Sequence, residues 1–330
     1  MISIQQKTGT PKYKQIIASI ENAIVSGTLK KGDALPSINS VSMAHKLSRD
    51  TVLMAFNELK TRGIVQSIVG KGYYVLNDQV DVTQKIFLLF DELNSFKEDL
   101  YSSFLKHLDK NIRVDTFFHH FNYDMFSKLI HENRGAYNQY IIMPANLKNT
   151  HVAIDSLPKE RVYILDQMHS ELLKYPAVYQ NFEKDIISNL NKALPLIKKY
   201  NRIILLFDES RQPEGMRIGF EKFCISNVLE HVVIASLENL QLAKGDVFII
   251  PDDKNLLRII KKIKEKNLVL SQDIGIISYN DTLLKELVEG GITTISTDFN
   301  KMGEQLANMI NTKEQVKIEN SNALILRNSL

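Results

Sequence analysis

Residues 35–65 read LPSINSVSMAHKLSRDTVLMAFNELKTRGIV, and a tight turn, VGKG (69–72), and the triplet YYV (73–75) follow. Ser48 is a favourable N-cap for a second helix in this stretch. The apolar residues behind it recur at helical spacing: Val52, Leu53, Phe56 and Leu59. Gly63 is placed to end that helix. The pattern predicts two helices joined by a short turn, followed by a two-stranded wing.

The start of the second helix is the expected DNA-reading part of the chain. In a helix-turn-helix, the N-terminus of the recognition helix meets base edges in the major groove. Backbone N–H groups at helix N-termini also favour phosphate. The residues that cluster at the two adjacent helix N-termini are therefore predicted to contact DNA: Ser37, Asn39, Ser48, Arg49, Asp50 and Thr51.

The wing supplies one more predicted contact. Gly70 and Gly72 flank Lys71 at the hairpin tip, where positive φ is needed. A basic side chain at this tip can reach phosphate, so we expect Lys71 to act through charge rather than through base reading.

These residues resemble the winged helix-turn-helix of the GntR family of bacterial transcription regulators. The family pattern appears in order at Pro11, Lys12, Tyr13, Gln15, Ile16, Gly27, Leu29, Gly32, Leu35, Pro36, Ser37, Ser48, Arg49, Thr51, Val52, Gly70 and Gly72. The sequence departs from it twice. Asn39 stands where the family has an Arg that contacts DNA, and Lys46 replaces the usual glycine of the turn. Because Asn can read adenine, the first change is expected to alter sequence preference.

Composition describes a globular chain with an uneven charge distribution. Its 330 residues allow two or three domains, and 44% hydrophobic and 24% charged residues are ordinary values. Residues 1–78 carry ten Lys/Arg against five Asp/Glu, whereas the other 252 residues carry 31 against 33. A small basic domain on a near-neutral larger one fits DNA binding by the N-terminal part.

Localisation is inferred from absences. The sequence has no apolar run of about 18 residues and no signal-peptide pattern. Its single cysteine, Cys224, excludes an internal disulfide framework. We therefore expect a cytoplasmic protein without a membrane partner.

The polar segment NDQVDVTQ (77–84) marks the expected domain boundary, giving a DNA-binding domain at 1–78, a linker at 79–84 and an effector domain at 85–330. Beyond it, short apolar segments alternate with amphipathic ones, which predicts α/β architecture with a doubly wound sheet. The predicted strands are 86–90, 113–118, 140–143, 162–165, 203–207, 232–235, 247–250, 274–278, 293–296 and 323–326. The predicted helices are 96–108, 125–133, 182–194, 216–227, 256–266, 282–288 and 302–310. Pro195 predicts a kink or a break.

The C-terminal half resembles the end of a LacI-type effector domain. The matching segments are DIGIISYND (273–281), GITTISTDFNKMGEQLANMI (291–310) and ALILRNSL (323–330). The resemblance extends over roughly 85–330 and implies a periplasmic-binding-protein-like fold: two α/β lobes, three crossovers and a ligand cleft between the lobes.

Residues that follow the strands are the candidate effector contacts, because such a cleft lies outside the carboxyl ends of strands. They are Asp91, Asn94, Phe96, Asp166, Arg211, Arg217, Asp252 and Asn280. The resemblance places Asn280 at the family's acidic ligand contact and Asp252 at its Asn contact. Arg217 lies one position closer to Gly219 than the family's effector-binding Arg, so Arg211 is an alternative. At each position a helix cap or a solvated loop charge is the competing interpretation.

The chemistry of these side chains suggests the effector. Sugars present vicinal hydroxyls that suit carboxylates, amides and a bidentate Arg, and an aromatic ring such as Phe96 can stack on a sugar face. The expected effector is a sugar or a sugar phosphate. The eight His residues are scattered without metal-ligand spacing, and no catalytic or nucleotide-binding motif is present, so neither metal nor cofactor is expected.

The sequence thus predicts a ligand-responsive transcription regulator, a repressor that binds a palindromic operator in double-stranded DNA as a homodimer. The alternative is an enzyme fused to a GntR-type DNA-binding domain. A transport binding protein is disfavoured by the DNA-binding motif and by the lack of a signal peptide.

Overall fold

The computed structural model describes residues 2–4, 11–77, 84–238 and 240–330. Residues 11–77 form three helices and a wing: α1 (Lys12–Val25), α2 (Ile38–His45), α3 (Arg49–Thr61), β1 (Val65–Ile68) and β2 (Gly72–Val75). Ile20 of α1 and Phe56 of α3 are fully buried in the shared core. Leu53 does not share this core face. It is 38% exposed, and Ala55 is buried in its place because positions 52, 55, 56 and 59 form one side of the helix.

The turn between α2 and α3 closes without a glycine. Lys46 ends α2 in the left-handed conformation, with φ 53° and ψ 47°, and its N–H donates to the carbonyl of Ser42. The Leu47 N–H donates to the same carbonyl at 3.0 Å. A non-glycine residue held in this conformation costs on the order of 1 kcal/mol, which the surrounding packing must offset.

Residues 84–330 form two α/β lobes, which confirms the predicted fold class. The strands are β3 (Gln84–Phe90), β4 (Ile112–Phe118), β5 (Gln139–Ile142), β6 (Val162–Asp166), β7 (Ala177–Tyr179), β8 (Arg202–Leu206), β9 (Glu230–Ile234), β10 (Asp246–Ile250), β11 (Ile274–Tyr279), β12 (Thr293–Thr297), β13 (Lys317–Glu319) and β14 (Asn322–Ile325). The helices are α4 (Ser95–His107), α5 (Tyr123–Glu132), α6 (Thr150–Ile154), α7 (Phe182–Ile197), α8 (Glu214–Ser226), α9 (Asp253–Glu265), α10 (Leu283–Leu287) and α11 (Phe299–Thr312).

Each lobe is built on one six-stranded sheet. The first sheet has the order β13-β7-β6-β5-β3-β4 and the second has the order β14-β12-β11-β10-β8-β9. The pairings are parallel, except that β14 runs antiparallel to β12. Residues 86–90 are fully buried on both faces of β3, which explains their continuous apolar run.

The chain passes between the lobes three times: between β7 and α7, between β12 and α11, and between β13 and β14. α11 packs on α4 and so belongs to the first lobe. The described helices include none that is long and apolar enough to cross a membrane.

Three details differ from the sequence-based predictions. β7, β13 and α6 were not predicted, because three to five residues carry too little periodicity. α7 is not broken at Pro195 but continues to Ile197, since a proline in the last turn removes little helical hydrogen bonding. Of the predicted linker, 79–83 lies outside the described residues and Gln84 is already the first residue of β3.

Candidate DNA interface and effector cleft

The two helix N-termini of the winged domain are capped by the predicted serines. The Ser37 Oγ accepts from the Ser40 N–H at 3.1 Å, and the Ser48 Oγ accepts from the Thr51 N–H at 3.2 Å. Ser48 also lies 2.8 Å from the Thr51 hydroxyl. These bonds fix the first turns of α2 and α3 and leave further backbone N–H groups at both ends available to an anion.

The other polar residues predicted to contact DNA are exposed or partly exposed to solvent. Asn39, Arg49 and Asp50 are exposed, and Thr51 is half-buried. No other residue of the described ranges forms a hydrogen bond or an ion pair with the Arg49 side chain. Arg49 and Asp50 thus lie at the start of α3 with side chains that have no partner among the described residues, whereas the Ser48 and Thr51 hydroxyls are bonded to each other.

The wing presents Lys71 at its tip. Gly70 and Gly72 take φ values of 73° and 105°, which are favourable only for glycine, and the Lys71 N–H donates to the Ile68 carbonyl at 3.0 Å. The Phe56 and Tyr73 rings meet edge to face at 4.9 Å, so the wing is fixed against the recognition helix.

On the first lobe, the predicted effector residues are engaged by the protein itself. Asp91 forms an ion pair with Lys97, and both side chains are buried. Asn94 caps α4 by accepting from the Lys97 N–H at 3.2 Å. Phe96 stacks on Phe299 with ring centroids 4.8 Å apart. Asn94 thus takes the helix-cap role that was the competing interpretation.

Asp166 belongs to a buried polar chain that joins the three crossovers. The Gln180 amide, in the first crossover, donates to the Asp166 carboxylate. Thr297, in the second, donates to the Gln180 amide oxygen, and Asn322, in the third, donates to Thr297 at 3.0 Å. Burial raises the pKa of Asp166 to about 6.

On the second lobe, Asp252 and Asn280 lie at the same level of two adjacent strands, since Ile250 of β10 pairs with Ser278 of β11. Asp252 caps α9 by accepting from the Asn255 N–H at 2.8 Å. Asn280 has φ 59°, and its side-chain oxygen is buried without a partner among the described residues.

A buried lysine supports this second-lobe edge. The Lys285 ammonium donates to the Asn280 carbonyl at 2.7 Å and lies 3.0 Å from the Asp253 carboxylate. Desolvation lowers its pKa, and Asp253 opposes that shift. The contacts tie the end of β11 to the start of α9, so the backbone that presents Asn280 is held firmly.

The two candidate arginines lie in different places. Arg211 reaches across to the first lobe, 3.1 Å from the Glu92 carboxylate and 5.3 Å from the Phe121 ring. The neighbouring Glu209 carbonyl accepts from Asn146, also of the first lobe, at 2.7 Å. Arg217 instead pairs with acidic residues of its own helix, Glu214 and Glu221. Arg211 is thus an interlobe residue and Arg217 is not.

A cleft of about 720 Å³ opens between the lobes. Its walls come from the loops after β5 and β6, the first crossover and the start of α8. They comprise Asn146, Leu147, Lys148, Asn149, Gln167, Met168, His169, Glu171, Leu173, Tyr179, Gln180, Asn181, Phe182, Glu183, Pro213, Glu214, Gly215 and Lys317. None of the eight predicted effector residues lines it. Gln180 and its neighbours escaped prediction because they follow β7, a strand too short to recognise.

No metal-binding group emerges from the part of the chain that the structure describes: no three His, Cys, Asp or Glu side chains are arranged to hold an ion. His119 is fully buried and its Nε2 lies 3.0 Å from the Met143 carbonyl. Burial lowers the pKa of His119, which fits a packing role for a neutral imidazole.

Known protein families match both the winged domain and the second part of the chain. The family of bacterial regulatory proteins called gntR matches residues 12–75, and the periplasmic binding protein-like domain matches residues 196–329. The HTH-type transcriptional repressor YtrA of Bacillus subtilis (strain 168) is 31% identical over 100 residues, which cover 30% of this chain and 73% of YtrA. The repressor MngR of Escherichia coli (strain K12) is 36% identical over 104 residues, which cover 32% of this chain and 40% of MngR.

The two lobes resemble a solved structure. A LacI family transcriptional regulator from Silicibacter pomeroyi superposes with a TM-score of 0.63 at 12% identity, over 74% of this chain and 98% of that chain. At this identity the likeness concerns the fold alone. The chain belongs to the gntR family of bacterial regulatory proteins, and it joins a GntR DNA-binding domain to a periplasmic-binding-protein-like domain.

Proposed function

We propose that this GntR-family transcription regulator is a cytoplasmic repressor that binds a palindromic operator as a homodimer and responds to a sugar or sugar phosphate held between its lobes. One observation carries the proposal: the chain combines two capped helix N-termini and an unpaired Arg49 on one surface with a cleft between two lobes. The relatives and the fold neighbour are transcription regulators, so the alternative of an enzyme fused to a DNA-binding domain is not retained.

Cleft chemistry supports a polar effector. A volume of about 720 Å³ is in the range of small-molecule sites, and amide side chains such as Asn146, Gln167 and Gln180 can both donate to and accept from hydroxyl groups. Lys148 and Lys317 could pair with a phosphate, and the carboxylates of Glu171, Glu183 and Glu214 in the same walls could accept from sugar hydroxyls. MngR is named as the repressor of a mannosyl-D-glycerate transport and metabolism system, which agrees with a sugar derivative.

The interlobe contacts offer a route for the response. An effector that binds one lobe arrangement better than another shifts the population toward it. The Arg211–Glu92 and Asn146–Glu209 contacts join the lobes in the arrangement described above. An effector that displaces them, or one that adds to them, would change how the lobes present the paired winged domains. Induction and corepression differ only in which arrangement the effector favours.

The test is a pair of calorimetric titrations. A thermal-shift screen of monosaccharides and their phosphates selects the ligand, which is then titrated into the protein with and without operator DNA. Linkage requires DNA to change the effector affinity by the same factor by which the effector changes DNA affinity, typically about five- to 150-fold. Gln167→Ala, which removes an amide from the cleft wall, should leave apo operator binding nearly intact and weaken the response. Equal effector affinities in the two titrations would rule out the regulatory mechanism.

A further inference from the structure

Two apolar side chains continue the exposed face of α3 beyond its polar start. Leu53 is 38% exposed and Met54 is 54% exposed. The opposite face of the helix is fully buried: Val52, Ala55, Phe56 and Leu59. Met54 follows Asp50 by four residues, about one helical turn, so the two side chains lie on the same side.

Leu53 and Met54 adjoin the DNA-facing end of the helix. Arg49 and Asp50 occupy the first turn and are exposed, and Leu53 and Met54 occupy the next turn. A recognition helix that enters the major groove with its N-terminus carries its second turn along the same base edges. The side chains that follow Asp50 outward would therefore meet bases and not solvent.

The chemistry of the groove identifies what they would meet. Thymine alone of the four bases presents a C5 methyl group in the major groove, and the other three edges are distinguished by their hydrogen-bonding groups. The leucine side chain has no hydrogen-bonding group and the methionine sulfur is only a weak acceptor. Polar base edges left against such side chains would lose their hydrogen bonds to water, which is unfavourable. A thymine methyl would gain apolar contact.

We propose that Leu53 and Met54 are specificity-determining residues that select thymines in the operator by contact with the C5 methyl groups. The inference rests on the proposed function, because it requires α3 to lie in the major groove. Each half-site then contains at least one thymine that is read through its methyl group, beside the bases read by Arg49 and Asp50.

The experiment uses the full chain and removes the methyl groups chemically. Operators are selected from random duplexes, and each thymine of a half-site is replaced in turn by deoxyuridine, which keeps the hydrogen-bonding edge and lacks the methyl group. Loss of one buried methyl contact should weaken binding by the wild-type protein roughly fourfold. Met54→Ala or Leu53→Ala should bind the thymine operator more weakly than the wild type does. For these variants the ratio of the affinity for the thymine operator to the affinity for the deoxyuridine operator should be near one.

Met43→Ala is the matched control. Met43 is 75% exposed on α2, so this variant removes the same side chain from the same domain but not from the recognition helix. It should keep the wild-type ratio. The inference is overturned if no thymine is sensitive, or if Leu53→Ala and Met54→Ala both retain the sensitivity.

Three outcomes separate this inference from the proposed function. In the first, the protein binds its operator tightly while no deoxyuridine substitution changes the affinity. That outcome agrees with the proposed regulator function and overturns only the thymine contact. If Leu53→Ala and Met54→Ala dissociate the dimer in sedimentation, and deoxyuridine still weakens DNA binding by these variants, then Leu53 and Met54 contact a second copy of the chain. In that case the inference fails. If selection yields no operator at all, the proposed function itself fails.

Discussion

The winged domain and the two lobes carry similar charged residues in opposite states. Within the described ranges the Arg49 and Lys71 side chains have no partner, whereas Asp91 and Arg211 are paired with Lys97 and Glu92. The DNA-facing surface is therefore ready to bind without rearrangement. An effector bound between the lobes, as proposed above, would act on interlobe bonds such as Arg211–Glu92, and this would couple ligand binding to a change in the lobes.

The strongest test of this contrast removes one partner of the buried pair in the first lobe. Lys97→Met leaves the Asp91 carboxylate buried without its counter-charge, which should lower the free energy of unfolding by about 3–5 kcal/mol. Denaturant titration of the full chain measures the loss, and operator binding at low temperature should change little.

Two variants sharpen this first test. Lys184→Met removes an exposed lysine paired with Glu319 and should have little effect on unfolding. The double variant Lys97→Met/Asp91→Leu replaces the ion pair with apolar groups and should recover most of the stability. A Lys97→Met protein as stable as wild type would show that the pair is not held in a desolvated state.

A second test concerns pH. Burial, and secondarily repulsion from Glu319, raises the pKa of Asp185 to about 6, from an ordinary value of 3.8. Between these values the folded state binds the proton and the unfolded state does not, so the free energy of unfolding should fall as pH rises from about 4 through 6. The contribution of this one group is at most about 3 kcal/mol.

Asp185→Asn isolates that contribution. The variant should be more stable than wild type above pH 6, and the difference should vanish toward pH 4; urea titrations at four pH values measure it. Asp166, whose pKa is raised in the same direction, retains its own slope in both proteins. Exposed Asp124→Asn should leave the pH profile unchanged. A constant difference between Asp185→Asn and wild type across this range would contradict the assignment.

A substitution on the DNA-facing surface of the winged domain should change operator binding and leave the stability of the protein unchanged. Arg49→Ala removes an exposed, unpaired guanidinium, so operator affinity should fall by about 1–3 kcal/mol if Arg49 pairs with a guanine, with the unfolding transition unmoved. Lys60→Ala, at the far end of the same helix, is the control. A gel-shift titration of folded Arg49→Ala that gives wild-type affinity would remove Arg49 from the interface.

The smallest expected effect belongs to the wing. Lys71→Ala should weaken specific and nonspecific DNA about equally and reduce the slope of log affinity against log salt by about 1. Filter binding at four salt concentrations measures both. A loss confined to the operator would mean that the wing reads bases.

The two regions also differ in how far the sequence predicts them. The Ser48 cap and the glycines around Lys71 act within a few residues, so local rules located them. Lys46 shows the limit even there, because its left-handed conformation was recognisable only from the glycine that the family usually has. The cleft depends on distant pairs that no local pattern encodes. Arg211 and Glu92 are 119 residues apart, and Thr297 and Gln180 are 117 apart.

The crossovers also set the order in which the chain acquires its parts during translation. The first lobe needs α11 against α4, where the Ser103 hydroxyl donates to the Asn300 carbonyl 197 residues later, and it needs β13 beside β7. The winged domain ends its wing at Val75. Because domains fold as units and the N-terminal one emerges first, a nascent chain should hold a folded DNA-reading domain while its lobes are still unfinished. For that interval the chain would present its recognition helix before the proposed effector cleft exists.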